Sequence, residues 1–142
     1  MAVVKTVSQR LRLIQGALLV GIAFSAVAAE WWARRFPQNP VNGLFQALSV
    51  ISLGLVGATL LVRQTLVRPS EVVLTGKPDD AAAAARWKAC CTFLYLMCEA
   101  LGLFGVILRL DGFPLANIWG FYLGSGALLL LYSPARAVQL VR

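Results

Sequence analysis

The sequence predicts an all-α integral membrane protein: a bundle of four transmembrane helices that forms one domain over residues 1–142. Composition is the first reason, because 59% of the residues are apolar and only 13% are charged, whereas soluble domains carry about 25% charged residues. Length is the second reason, because a spanning helix needs about 20 apolar residues. Four spans with short loops therefore fill the 142 residues and leave no room for a separate soluble domain.

The first apolar run predicts a transmembrane helix over about residues 13–33. Arg12 precedes it, and Trp31 and Trp32 lie at its end, as expected of the basic and aromatic anchors of a membrane interface. A basic amino terminus followed by an apolar run also resembles a cleavable signal peptide. We expect this segment to be an uncleaved first span.

Three further apolar runs predict helices over about residues 41–66, 86–108 and 115–132. The stretch 68–80 contains proline, glycine and charges of both signs, so it is predicted to be an extended polar loop. The alanines at 81–85 are strong helix formers and are expected to begin the next helix.

Prolines are expected to set the remaining boundaries. Pro37 and Pro40 favour a break after the first helix, and Pro134 predicts the end of the last helix or a kink in it. Gly112 and Pro114 predict a short turn before the fourth helix.

The basic residues predict the orientation in the membrane. Arg34, Arg35 and Arg109 fall on one side of the predicted spans. The other ten of the 13 basic residues fall on the side of the two termini and the polar loop: Lys5, Arg10, Arg12, Arg63, Arg68, Lys77, Arg86, Lys88, Arg136 and Arg142. The positive-inside rule then places both termini in the cytoplasm, with a bacterial inner membrane as the expected location. Because these charges flank apolar runs and form no patch interleaved with aromatics, the net charge of +7 does not indicate nucleic-acid binding.

A shift of 69 residues suggests a 2+2 internal repeat. It superposes pairs of identical residues: Phe24 on Phe93, Glu30 on Glu99, Gly43 on Gly112 and Gly57 on Gly126. The two glutamates are predicted at different depths, however, so equal depths would require one helix to slide by about two turns.

Glu99 is the most informative residue, because an ionised carboxylate among apolar neighbours at bilayer depth costs several kcal/mol. We expect it to be protonated at neutral pH unless a cation lies beside it. Thr92, Tyr95, Glu99 and Gly102 follow helical spacing, so they predict one polar stripe on which the Tyr95 hydroxyl reaches the Glu99 carboxyl. Glu99 is then a proton or ion carrier or a cofactor ligand, or it is a neutral carboxyl that holds two helices together.

Other acidic residues are predicted to form interfacial ion pairs, Glu30 with Arg34 or Arg35 and Asp111 with Arg109. The chain has no histidine, and its three cysteines contain no CxxC pair, so no metal site is expected. No nucleophile elbow or phosphate-binding glycine loop occurs either, so we do not expect an enzyme.

The cofactor is unknown from the sequence, which leaves a bound lipid, pigment or quinone open. The oxygen atoms of Glu99, Gln46 or Asn117 are the groups that would ligate a chlorophyll magnesium, an arrangement that the sequence neither supports nor forbids.

The main interpretation is a non-catalytic subunit that packs against other integral membrane subunits of a respiratory, photosynthetic or transport complex. Small and aromatic residues support it. Six glycines are candidates for close helix packing: Gly54, Gly57, Gly102, Gly105, Gly120 and Gly124. Four tryptophans are candidate interface anchors: Trp31, Trp32, Trp87 and Trp119. Whether the glycines pack within the chain or against a partner is open at this point.

The segment EALGLFGVI that begins at Glu99 resembles the carboxylate helix of the rotary ATP synthase proteolipid, the c-ring subunit, and Arg68-Pro69 resembles that family's polar-loop motif. The resemblance covers helices 2 and 3 only, lacks the glutamine between Arg and Pro, and includes a longer loop. It implies an alternative function: a proton- or ion-translocating subunit of a homo-oligomeric ring, with helix 2 as the inner helix and Glu99 on the outer helix as the working site.

Overall fold

The computed structural model describes residues 2–35, 40–77 and 79–133, and all regular structure in these ranges is helical, so the all-α prediction is confirmed for them. The elements are α1 (Ala2–Ala33), α2 (Asn42–Val62), a π-helical turn (Arg63–Val67), α3 (Arg68–Gly76), α4 (Ala81–Leu110) and α5 (Leu115–Leu131). The second, third and fourth of these follow one another without a break. Four predicted landmarks, Pro37, Pro134, Arg136 and Arg142, lie outside the described residues.

Helix α1 begins well before the predicted residue 13. The reason is an apolar stripe at helical spacing, Val7, Leu11, Ile14 and Leu18, which packs on the protein core. Leu11 is fully buried. The amino-terminal turns are therefore held by tertiary packing although they lie outside the apolar run.

The predicted polar loop over 68–80 is mostly helical, which corrects the sequence interpretation. Pro69 has no N–H, and in a regular α-helix its ring would clash with the carbonyl four residues earlier. The chain accommodates it with the wider π turn, in which the Arg68 N–H donates to the carbonyl of Arg63, five residues back. Helix α3 then continues to Gly76 and buries Ser70 and Leu74 against the core.

The connection that remains between α3 and α4 is short. Asp80 precedes α4, and its side chain accepts hydrogen bonds from the backbone N–H groups of Ala82 and Ala83. This is the N-cap that satisfies otherwise unpaired amides at a helix start. Helix α4 begins at Ala81 and ends at Leu110.

Helix α4 lies at the centre and contacts α1, α2, α3 and α5. It runs parallel to α1, because Gly21 faces Glu99 and Glu30 reaches Arg109. It runs antiparallel to α5, after a turn in which Gly112 has a φ of 102° that favours glycine.

Three helical segments are long and apolar enough to cross a membrane: Thr6–Ala33, Gly43–Gly76 and Ala81–Leu110. Helix α5 is also apolar, but its 17 residues span only about 26 Å against a hydrocarbon core of about 30 Å. The chain is thus a helical protein whose long apolar helices suggest an integral membrane protein, and the fourth span stays a prediction.

Candidate functional site between α1, α4 and α5

Glu99 lies on α4 where this helix meets α1. A Cβ atom built on Gly21 of α1 would lie 3.6 Å from Glu99 Oε1, an ordinary van der Waals distance, so the carboxyl group lies beside the α1 backbone. Glu99 Oε2 is buried and has no hydrogen-bond partner among the described residues. A carboxyl oxygen in this position is open to a proton, a water molecule or an ion.

Tyr95 does not bond to Glu99, which corrects the prediction for this pair. Its ring is almost fully buried, and its hydroxyl donates to the backbone carbonyl of Tyr132 at 3.2 Å. Thr92 is half-buried one turn earlier on α4. The three residues do share a helix, but the acceptor that Tyr95 uses comes from the end of α5.

Two further hydrogen bonds join the helices, and neither was predicted from the sequence. Ser125 Oγ donates to the Cys98 carbonyl at 2.5 Å, and Gln15 Nε2 donates to the Leu129 carbonyl at 2.6 Å. Their signal is a single polar residue in an apolar run, which indicates that a partner exists but does not identify it. These bonds fix α5 against α4 and α1.

A charged cluster lies at the carboxyl-terminal end of α1. Arg109 Nε donates to Glu30 Oε2 at 2.7 Å and its Nη1 to the Phe113 carbonyl at 2.9 Å, and Arg34 Nε donates to Glu30 Oε1 at 3.3 Å. The predicted pairing of Glu30 with Arg34 is therefore present, with Arg109 as a second and closer partner.

Asp111 was predicted to pair with Arg109 but has another role. Its Oδ2 accepts a hydrogen bond at 2.9 Å from the backbone N–H of Val41, just before α2. It thus ties the start of α2 to the end of α4.

The candidate packing glycines fall into two groups. Added Cβ atoms would lie 3.2 Å from Ile22 and 3.3 Å from Ser125 at Gly102, and 3.0 Å from Tyr122 at Gly105. At these two positions a larger residue would press on a neighbouring helix of the same chain, so glycine favours the close contact. At the other four, no atom of the described residues lies within 4 Å of an added Cβ: Gly54, Gly57, Gly120 and Gly124.

The candidate anchors also divide. Trp31, Trp32 and Trp119 are about half exposed, as an interfacial side chain requires. Trp87 is 2% exposed, and its Nε1 lies 3.4 Å from Glu71 Oε1 of α3, so it is a core residue between α3 and α4 and not an anchor facing lipid.

The candidate magnesium ligands do not converge. Asn117 lines a groove between α2 and α5, Gln46 is exposed on α2, and Glu99 faces α1. Within residues 2–35, 40–77 and 79–133, no group of three His, Cys, Asp or Glu side chains is placed to hold a metal ion.

What this arrangement offers chemically is one carboxyl with an unpaired buried oxygen, a paired charge cluster about ten residues further along α4, and open small-residue surface on α2 and α5.

Compared with known protein families, curated proteins and solved structures, the chain matches none.

Proposed function

We propose that this chain is a small non-catalytic subunit of a larger membrane assembly, respiratory, photosynthetic or transport in type, in which it packs against and stabilises other integral membrane subunits. The contrast between the two groups of glycines carries this proposal. Gly102 and Gly105 are filled by neighbours from the same chain, whereas Gly54, Gly57, Gly120 and Gly124 have open space around them. Open glycines on apolar helices allow the backbone of another transmembrane helix to approach closely.

The groove between α2 and α5 gives this surface its shape. It has a volume of about 340 Å³, and small side chains line it from both helices: Ser49 and Ser52 from α2, and Gly120 and Gly124 from α5. Transmembrane helices associate through small residues and hydroxyl groups of this kind. A helix from a partner subunit fits such a surface better than a soluble ligand does.

The proposed setting is a bacterial inner membrane that the chain crosses four times, with both termini in the cytoplasm. Support comes from the ten-to-three distribution of basic residues and from the opposite directions of α4 and its neighbour α5. The 2+2 repeat gains no support from packing, because Glu30 lies beside Arg109, about 15 Å along α4 from Glu99.

Native mass spectrometry in mild detergent, with the co-purifying chains identified, tests the proposal. We expect one or two copies of the chain with larger membrane subunits. Gly120→Leu should abolish this association and leave the helical content of the isolated chain unchanged, because none of the residues that the structure describes occupies that space. Gly16→Leu is the matched control, since Gly16 is also open but lies on α1. Recovery of the chain alone, or equal effects of both variants, would contradict the proposal.

A second candidate is proton or ion translocation by a proteolipid-like ring, the function that the resemblance around Glu99 implies. The observation in its favour is the unpaired and buried Glu99 Oε2. Helix α1 covers this face of α4, so exchange of a proton would have to occur along the α1–α4 contact.

This candidate predicts a homo-oligomer of many copies and modification of Glu99 by a carbodiimide. Glu99→Gln should remove the modification and proton transport without changing assembly. Glu71→Gln is the control, because the Glu71 carboxyl lies on α3 and has a partner, Trp87 Nε1 at 3.4 Å. Transport that survives Glu99→Gln would exclude the carrier role.

A further inference from the structure

A groove between the carboxyl-terminal part of α1 and the amino-terminal part of α5 has no part in the proposed function. Its volume is about 440 Å³, and its walls include Ala26, Val27 and Trp31 from α1 and Leu115 and Tyr122 from α5. The two helices are joined near their other ends by the Gln15–Leu129 hydrogen bond, and the groove lies toward the Arg34 end of α1. We call it the α1–α5 groove.

Positive charge is in excess around the Arg34 end of the groove, whose lining includes Arg34 and Glu30. Arg109 bonds to the same Glu30 carboxylate as Arg34, and Arg35 lies 3.8 Å from the ring centroid of the lining residue Trp31. Three guanidinium groups and one carboxylate therefore lie in or beside the groove. The Arg34 side chain is 75% exposed and uses only its Nε edge toward Glu30, so further N–H donors point outward. A phosphate group matches this geometry and charge.

The ring of Tyr122 forms part of the groove wall, whereas its hydroxyl is buried and has no hydrogen-bond partner among the described residues. The ring packs closely on α4, because a Cβ atom added at Gly105 would lie 3.0 Å from Tyr122 Cε1. Tyr122 therefore contributes apolar surface to the groove.

We propose that the α1–α5 groove binds one anionic phospholipid, with its phosphate at Arg34 and an acyl chain between Val27 and Leu115. From Arg34 to Ala26 the groove follows eight residues of α1, or about 12 Å, which is most of one leaflet of hydrocarbon. An acyl chain enters such a groove sideways from the bilayer without losing its apolar surroundings.

Native mass spectrometry with added phosphatidylglycerol or phosphatidylcholine tests the charge requirement. We expect one retained phosphatidylglycerol per chain and about tenfold weaker retention after Arg34→Gln, the loss of one charge-assisted contact. Arg12→Gln is the control, an exposed arginine near the other end of α1. Equal retention of both lipids, or equal effects of both variants, would overturn the proposal.

Groove-filling variants test the geometry. Ala26→Phe should abolish retention, whereas Ala28→Phe, on the exposed face of the same helix, should not. A photo-crosslinker at Val27 should capture lipid. Capture of a protein chain instead would assign the groove to a partner helix and refute lipid binding.

Discussion

Replacing Gly105 with valine should destabilise the folded chain by about 1–3 kcal/mol, the usual cost of overpacking a close contact. A Cβ atom at this position would lie 3.0 Å from Tyr122 Cε1 and 3.2 Å from Phe121 Cβ. The Tyr122 ring is able to turn aside, but Phe121 Cβ is fixed to the α5 backbone, so α5 itself must move. The better helix propensity of valine recovers only a few tenths of a kcal/mol.

The measurement is the unfolding midpoint in mixed micelles of a mild detergent and sodium dodecyl sulfate, followed by circular dichroism. Gly120→Val is the matched control, the same substitution at a glycine of α5, because among the described residues no atom lies within 4 Å of an added Cβ there. The midpoint of this control should correspond to a change of no more than about 0.5 kcal/mol in the free energy of unfolding. If Gly105→Val unfolds at the same denaturant concentration as this control, the close approach of α4 and α5 at Gly105 is refuted.

Three other contacts make separate predictions in the same assay. A double-mutant cycle of Glu30→Gln and Arg109→Gln should give a coupling of about 1–2 kcal/mol, because the pair is 2.7 Å apart and only 28% and 15% exposed; a coupling near zero would contradict this. Gln15→Leu should cost about 0.5–1 kcal/mol by removing a buried hydrogen bond to α5, and an unchanged midpoint would count against that bond. Trp87→Phe should cost about 1–2 kcal/mol by leaving a void and losing the contact with Glu71, whereas a stabilised variant would place Trp87 outside the core.

The sequence predicted the helices better than it predicted their partners. Apolar spacing along α4 identifies the buried face that carries Leu94, Cys98, Leu101 and Leu108, because that spacing depends on helical period alone. The length of the second helix was underestimated, because proline normally ends a helix and a π turn that absorbs Pro69 has no clear sequence signal.

Partners were mispredicted where a neighbour in sequence competed with a neighbour in space. Tyr95 has Glu99 one turn away, yet its hydroxyl bonds to the Tyr132 carbonyl. Arg109 has Asp111 nearby in sequence, yet it bonds to Glu30 on α1. Spacing along a helix ranks candidates on one face, but the approach of another helix decides which acceptor is reached, and that approach depends on packing across the whole chain.

The glycines also show that spacing along a helix does not identify the contact partner. They explain why the two proposals concern different sides of α5. Gly120 and Gly124 have the GxxxG spacing that typically marks a helix contact, but the described chain leaves them open. Gly102 and Gly105 lack that spacing and are the ones in close contact. Because the α2–α5 groove is lined by Gly120 and Gly124, and the α1–α5 groove by Leu115 and Tyr122, filling one should leave the other intact. Loss of the partner subunits after Gly120→Leu with lipid retention preserved would therefore separate assembly from lipid binding, since changes at sites without shared contacts act independently.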